Sequence, residues 1–413
     1  MDLPRPRGPL SEAVHARLEG RFCELPPVGA GVDVLADDDL QLALWMLYEL
    51  HYRGFDGRAD LEWDPGTIAC RRQLESRFEL VLRAATASFV DEALGHSTDV
   101  VDQIEHLVEV VDGPSLAGFL QRTATREQVL EFLAVRSLYH LKESDPHSFV
   151  LPRIDGPAKA ALAELLYDEY GAGRPERLHA TLYGDALEAA GLDRSYGAYV
   201  DRVPGHTLAV NNVMSLFGLQ RRLRGAALGH LTAFEVTSSV PCRRIAAGIE
   251  RVGLPDVTAA YFHEHVEADA VHEQVAMRDI CGALLQAEPG LRRDVLFGVA
   301  ACLHQRNRGA ALGHLAAFES TSSAPCRKIV AGIERLGFPD AVAAYFVEHV
   351  EADAVHEQLA VRDLCGRLVA AEPSLHDDVL FGAACCLYLD ALAATHLLDG
   401  WRAGSEKPVG AGA

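Results

Sequence analysis

The decapeptide HVEADAVHEQ stands at His265–Gln274 and again, unchanged, at His349–Gln358, 84 residues further on. On a helix turning about 100° per residue, His265, Asp269 and His272 share a face no more than about 60° wide. Tyr261, Phe262 and Ala276 flank that face, so it points inward, while Glu264, Glu267, Glu273, Gln274 and Arg278 fall on its sides or back. The helix therefore carries its most polar trio where a core stripe belongs. An unpaired buried carboxylate costs several kcal/mol, on the order of what ion desolvation demands. Two readings of the trio stand open. It is a hydrogen-bonded His–Asp–His cluster, or it holds a cation of the kind that accepts neutral imidazole and carboxylate, such as Fe(II), Mn(II) or Zn(II). The same holds for His349, Asp353 and His356. No second His follows His272-Glu273 at zincin spacing.

The decapeptide belongs to a longer tandem repeat. From Gly225 and Gly309 onward, about 58 of 80 aligned positions are identical, without a gap. A solenoid needs more units than two. The duplication of part of a pre-existing fold is the simpler account, and the join agrees: LQRRLRGAALGH precedes the first copy and LHQRNRGAALGH the second.

Outside the repeat, apolar residues recur at helical spacing and β-branched alternation is scarce, so an all-α chain is expected. Helical runs are expected near 70–94, 98–111, 125–143, 157–170, 175–191 and 206–236, after an Asp-capped helix opening at DDDLQLALWMLYEL. The predicted organisation is an irregular, Pro- and Gly-rich arm (1–36), the N-terminal half of a helical domain (37–220), the first repeat copy (221–304), the second copy with a final helix (305–400) and a flexible tail (401–413). The TSS that follows Glu235, with Pro241, is expected to cap a new helix there.

Composition narrows the function. Of 413 residues, 49% are hydrophobic, enough for a sizeable core, and the net charge of −21 argues against nucleic acid, which needs a basic surface. No apolar run is long enough to span a membrane, and no leader is expected from MDLPRPRGPLSEAV. Nine cysteines, an odd number without C-x-x-C, are expected to be reduced thiols in a cytoplasmic protein.

Other carboxylates and imidazoles add to the trio. Glu235 and Glu319 each stand 30 residues before their repeat's first decapeptide His, while LYHLKESDPHS offers Glu143 and LLYDEYGAGRPERLHATLY offers Glu169 and His179. Each alone reads equally as a solvated or simply hydrogen-bonded residue. His140, one turn before Glu143, either orients it or is a plain core histidine. Glu49, His51, Tyr52 and Arg53 either support a site from behind its ligands, or through Arg53 meet a substrate carboxylate, or simply close an amphipathic helix at Gly54. His147, after a proline, is expected to be exposed.

Taken together, the spacings of 26 residues from Glu143 to Glu169, 10 to His179, and 30 from Glu235 to His265, followed by H-x-x-x-D-x-x-H, resemble the haem-oxygenase-like di-iron oxidases, the iron-containing redox enzyme family. The resemblance covers roughly residues 35–400 apart from the extra module. It implies a haem-oxygenase-like helical bundle, with an extra duplicated helical module, and two non-haem irons. The implied ligands are Glu143, Glu169, His179, Glu235, His265, Asp269 and His272, with Glu319, His349, Asp353 and His356 as an alternative half-site. It further implies O2 as co-substrate, a small organic substrate and room for an external reductant. The alternative is a metal-binding or scaffold protein whose site the duplication has impaired. Thiaminase-like proteins, similar in fold, use a cysteine nucleophile, and no cysteine here is marked out for that role. Exchange of the spare copy between chains would make a homodimer.

Overall fold

In the computed structural model the described residues are 1–21, 24–29, 32–110 and 116–304, with isolated positions beyond; the side chains of residues 267–271 lie outside them. Residues Met1–Gln305 form one compact unit and Arg306–Ala413 another. Among the described residues there is no strand, and no helix is long and apolar enough to cross a membrane.

The first unit opens with α1 (Pro9–Leu18), so the expected irregular arm contains a helix. Its proline sits in the first turn, where a missing N–H costs nothing, and Leu10, Val14 and Leu18 bury one face. There follow α2 (Asp38–Glu49), α3 (Pro65–His96), α4 (Val100–Val110) and α5 (Leu116–Arg122). Asp37 caps α2 by accepting from the Leu40 amide at 2.7 Å, and Asp64 caps α3 through Thr67 at 2.7 Å. Next come α6 (Arg126–His140), opened by a Thr125–Gln128 capping box, the short α7 (Asp145–Ser148), α8 (Gly156–Glu169) and α9 (His179–Ala189). The expected run 206–236 divides into α10 (Gly205–Leu219) and the start of α11 (Arg224–Arg251), separated by a single 3₁₀ turn. Then follow α12 (Asp256–Gln274), a π-helical stretch (Val275–Gly282), α13 (Ala283–Ala287) and α14 (Arg292–His304).

The central helix α11 corrects the sequence reading at Glu235. The helix does not end there but runs on through TSS and Pro241. Thr237 donates its hydroxyl to the Ala233 carbonyl at 2.6 Å and Ser238 donates to the Glu235 carbonyl at 3.4 Å. The hydroxyls thus bond back along the helix instead of capping a new one. Helix α11 packs along both α12 and α14. At the α14 crossing, a Cβ on Gly229 would strike the Val295 carbonyl and one on Gly298 the Ala226 carbonyl, so glycine sets how closely the backbones approach.

Two apolar clusters result. One joins α1–α4, α8, α10, the first half of α11 and α14; the other joins α5, α6, α9, the second half of α11 and α12. A buried ion pair ties α2 to the turn after α6: Lys142 meets Glu49 at 2.6 Å, with Tyr196 also donating to Glu49 at 2.7 Å. Arg53 donates to the Leu141 carbonyl at 2.5 Å and lies over the Tyr196 ring. Arg53 is thus engaged in anchoring the 141–144 turn.

Candidate metal centre

The turn so anchored carries Glu143, three residues past the end of α6. Glu169 is the last residue of α8 and His179 the first of α9. Between them the chain reverses through Gly171, Ala172 and Gly173, all at positive φ. A Cβ on Gly171 would lie 2.7 Å from the Arg177 carbonyl carbon, so only glycine allows this return. Glu235 projects from the middle of α11, and His265 and His272 from α12. Glu143, Glu169, His179, Glu235, His265 and His272 are all less than a tenth exposed.

These six residues form two groups. The ligand-type atoms of Glu143, Glu169, His179 and His265 lie within 4.8 Å of one another, as do those of Glu169, Glu235 and His272. Glu169 belongs to both. His179 Nδ1 is 3.0 Å from Glu169 Oε2 and 3.4 Å from Glu143 Oε1, and His265 Nε2 is 3.5 Å from that same Glu143 oxygen. In the second group, His272 Nδ1 lies 3.4 Å from Glu235 Oε2 and 3.8 Å from Glu169 Oε1. Asp269 lies on α12 between the two histidines, but its side chain is outside the described residues, as are Glu319, His349, Asp353 and His356.

Several neighbours escaped the sequence reading. Ser144 donates to Glu169 Oε2 at 2.8 Å, and Asp168 stands 3.5 Å from His272 Nε2. Tyr261 donates to Glu143 Oε2 at 2.5 Å and meets His140 Nδ1 at 2.6 Å. The one available signal was adjacency, since Ser144 abuts Glu143, Asp168 abuts Glu169 and Tyr261 lies one turn before His265. His140 does touch Glu143, at 3.4 Å. His147 is buried, not exposed, because α7 packs against α10. Burial pushes the Cys281 thiol up to about 12, the opposite of an activated nucleophile.

The pocket suits a cation. Glu143 Oε1, His179 Nδ1 and His272 Nδ1 are buried in ion-pair contact within their groups but without a well-aligned hydrogen bond. Such orphaned atoms are rare in a settled core and need an account. All three face the carboxylate–imidazole groups, and their donor set of imidazole nitrogen and carboxylate oxygen fits iron, manganese or zinc.

Ionisation without a cation is a compromise. Burial pulls His179 down, but the Glu143 and Glu169 carboxylates outweigh it and push the imidazole up to about 11. By the same contest Glu143 raises His265 to about 9, and Glu235 raises His272 to about 9. Burial raises Glu143 and Glu169, yet the histidines hold both below the usual range. A raised folded-state value gives stability that is fully present below the unfolded histidine value near 6.5 and is lost as pH rises through about 9. The metal-free protein is therefore expected to melt at a lower temperature at pH 10 than at pH 8. Metal binding must expel these protons, so Zn(II) titration in weak buffer at pH 7 is expected to acidify the solution, and affinity to rise with pH. Binding without proton release would refute the assignment of these imidazoles as ligands.

Comparison with known proteins agrees with the geometry. Residues 130–303 match a protein family described as iron-containing redox enzyme, and residues 299–391 match it a second time. The first match alone spans all seven positions from Glu143 to His272. The chain is also similar to nitrosourea synthase of Streptomyces achromogenes subsp. streptozoticus, at 28% identity over 145 residues. That similarity covers 35% of this chain and 31% of that protein.

Proposed function

The chain belongs to the iron-containing redox enzyme family, and from that premise we propose that it is a non-haem di-iron oxidoreductase using O2 to oxidise a small organic substrate. The observation that carries this reading is the carboxylate common to two adjacent ligand groups. Glu169 offers one oxygen toward His179 and the other toward His272. A carboxylate placed so can serve two cations and balance part of the charge of each. Glu143, His179 and His265 would complete one position; Glu235 and His272, with Asp269 on the same helix, would complete the other. When bound, two irons would supply the electrons and open coordination positions that O2 chemistry needs.

The protein's own contribution is to hold ligands in place and keep the surroundings dry. Ser144 fixes one oxygen of Glu169, and Tyr261 one oxygen of Glu143. Carboxylate and imidazole ligands projecting inward from several helices are a recurrent use of bundle cores. The fold leaves the reaction open, because function resides in the site.

The test is anaerobic reconstitution with Fe(II), followed by exposure to O2. About two tight irons per chain and O2 uptake dependent on them are expected. No bound iron, or four equally tight irons, would overturn the two-iron reading. Two bound irons without O2 uptake, with or without reductant, would favour a metal-binding protein whose chemistry the duplication has impaired.

A further inference from the structure

We propose that Tyr261 is a positioning residue for two metal ligands at once, its hydroxyl fixing Glu143 and its backbone carbonyl fixing His265. This rests on the two-iron reading above and deepens it. Tyr261 is buried, and its ring is locked edge-on between Tyr183, at 4.9 Å, and Phe262, at 5.1 Å. Its hydroxyl has one proton and two close partners, Glu143 Oε2 at 2.5 Å and His140 Nδ1 at 2.6 Å. A carboxylate can only accept, so the phenol donates to Glu143 and accepts from the His140 N–H. The resulting chain, imidazole to phenol to carboxylate, occupies Glu143 Oε2. It leaves Oε1, which has no well-aligned hydrogen bond, facing His179 and His265.

The backbone of the same residue acts on the neighbouring ligand. His265 Nδ1 lies 2.9 Å from the Tyr261 carbonyl oxygen. A carbonyl also only accepts, so Nδ1 is the protonated nitrogen, and Nε2 is the one left to bind a metal. One turn of α12 thereby presents a glutamate from the distant 141–144 turn and a histidine of its own in matched orientation. The second repeat copy keeps this residue as Tyr345.

Tyr261→Phe separates this role from packing, since it keeps the ring and removes only the hydroxyl. Tyr183→Phe is the control: it also removes a buried hydroxyl, one that donates to the Leu133 carbonyl at 2.8 Å, and touches no ligand. The probe is anaerobic Co(II) titration followed by visible absorption, with melting temperature measured in parallel. Wild type is expected to bind two ions. In Tyr261→Phe one of the two is expected to bind about 10–100-fold more weakly with an altered spectrum, the usual consequence of losing an outer-shell partner. The other ion is expected to be unaffected, and Tyr183→Phe to bind both as wild type does. Should Tyr261→Phe fail to fold, His140→Leu is expected to weaken the same ion by a smaller factor. Wild type binding no Co(II) would overturn the two-iron reading itself. Two ions bound equally tightly by wild type and Tyr261→Phe, or both weakened alike in Tyr261→Phe and Tyr183→Phe, would overturn the positioning role alone.

Discussion

Glu169→Ala is expected to leave the protein folded but almost free of iron, with both ions lost together. Glu169 is the carboxylate that the two ligand groups have in common, and it lies in neither copy of the repeat, so no substitute exists. Outer-shell partners typically contribute about 10–100-fold to metal affinity, and a ligand common to both ions should contribute more. Glu235→Ala is the informative contrast. Of the two groups among the described residues, Glu235 belongs to Glu169–Glu235–His272 and not to the other, so this variant is expected to leave about one iron per chain. Glu169→Gln keeps the volume and can still accept from Ser144, so it separates loss of charge from loss of packing. Among the described residues, removing Glu169 also leaves His179 with Glu143 as its one close carboxylate partner. The metal-free variant should therefore have a lower His179 pKa than wild type, visible by NMR titration. Unchanged iron content in Glu169→Ala, with an intact fold, would show that the geometry in this pocket is not a metal site.

How much of this was legible in the sequence depends on what constrains each residue. That these carboxylates and imidazoles would converge was legible because few side-chain types bind a transition-metal cation, and because helix ends and turns fix the intervals between them. The ten residues from Glu169 to His179 are the length of one left-handed reversal plus a 3₁₀ turn. Helix existence was legible from periodicity. Helix ends were not, wherever the punctuation had two uses. Pro9 opens a helix in an arm expected to be irregular, while Pro241 lies within one that was expected to stop. The TSS hydroxyls could cap a new helix or bond back along the old one, and only the packing of α11 between α12 and α14 decides. Tyr261 looked like an apolar flank of the decapeptide because its partner, Glu143, is 118 residues away. His147 looked exposed because a proline precedes it, yet the α7–α10 contact covers it. Local pattern reports which residues can bind a metal; it does not report what orients them.

The duplicated decapeptide gives the last expected result. His265→Ala with His272→Ala is expected to abolish tight iron binding, whereas His349→Ala with His356→Ala is expected to retain about two irons per chain. The unit Met1–Gln305 already brings Glu143, Glu169 and His179 together with Glu235, His265 and His272. The first copy follows the N-terminal half directly, as it would in an unduplicated chain. Connection length is not the deciding factor, since each doubling of a loop costs only about 0.6 kcal/mol. What favours the first copy is that α11 and α12 bury their apolar faces against α5, α6 and α9 around the same ligands. The second copy has nearly the same sequence, so it competes for that position on almost equal terms. The first copy is synthesised first and stands next to the N-terminal half in sequence. Greater iron loss in the second pair of mutations would reverse the assignment. Loss in neither would mean that the copies replace one another, and the quadruple variant should then lose its iron. If the second copy instead completes the site of a neighbouring chain, the His349/His356 variant alone should lose iron, and mixing it with the His265/His272 variant should restore part of that iron in a dimer detectable by light scattering.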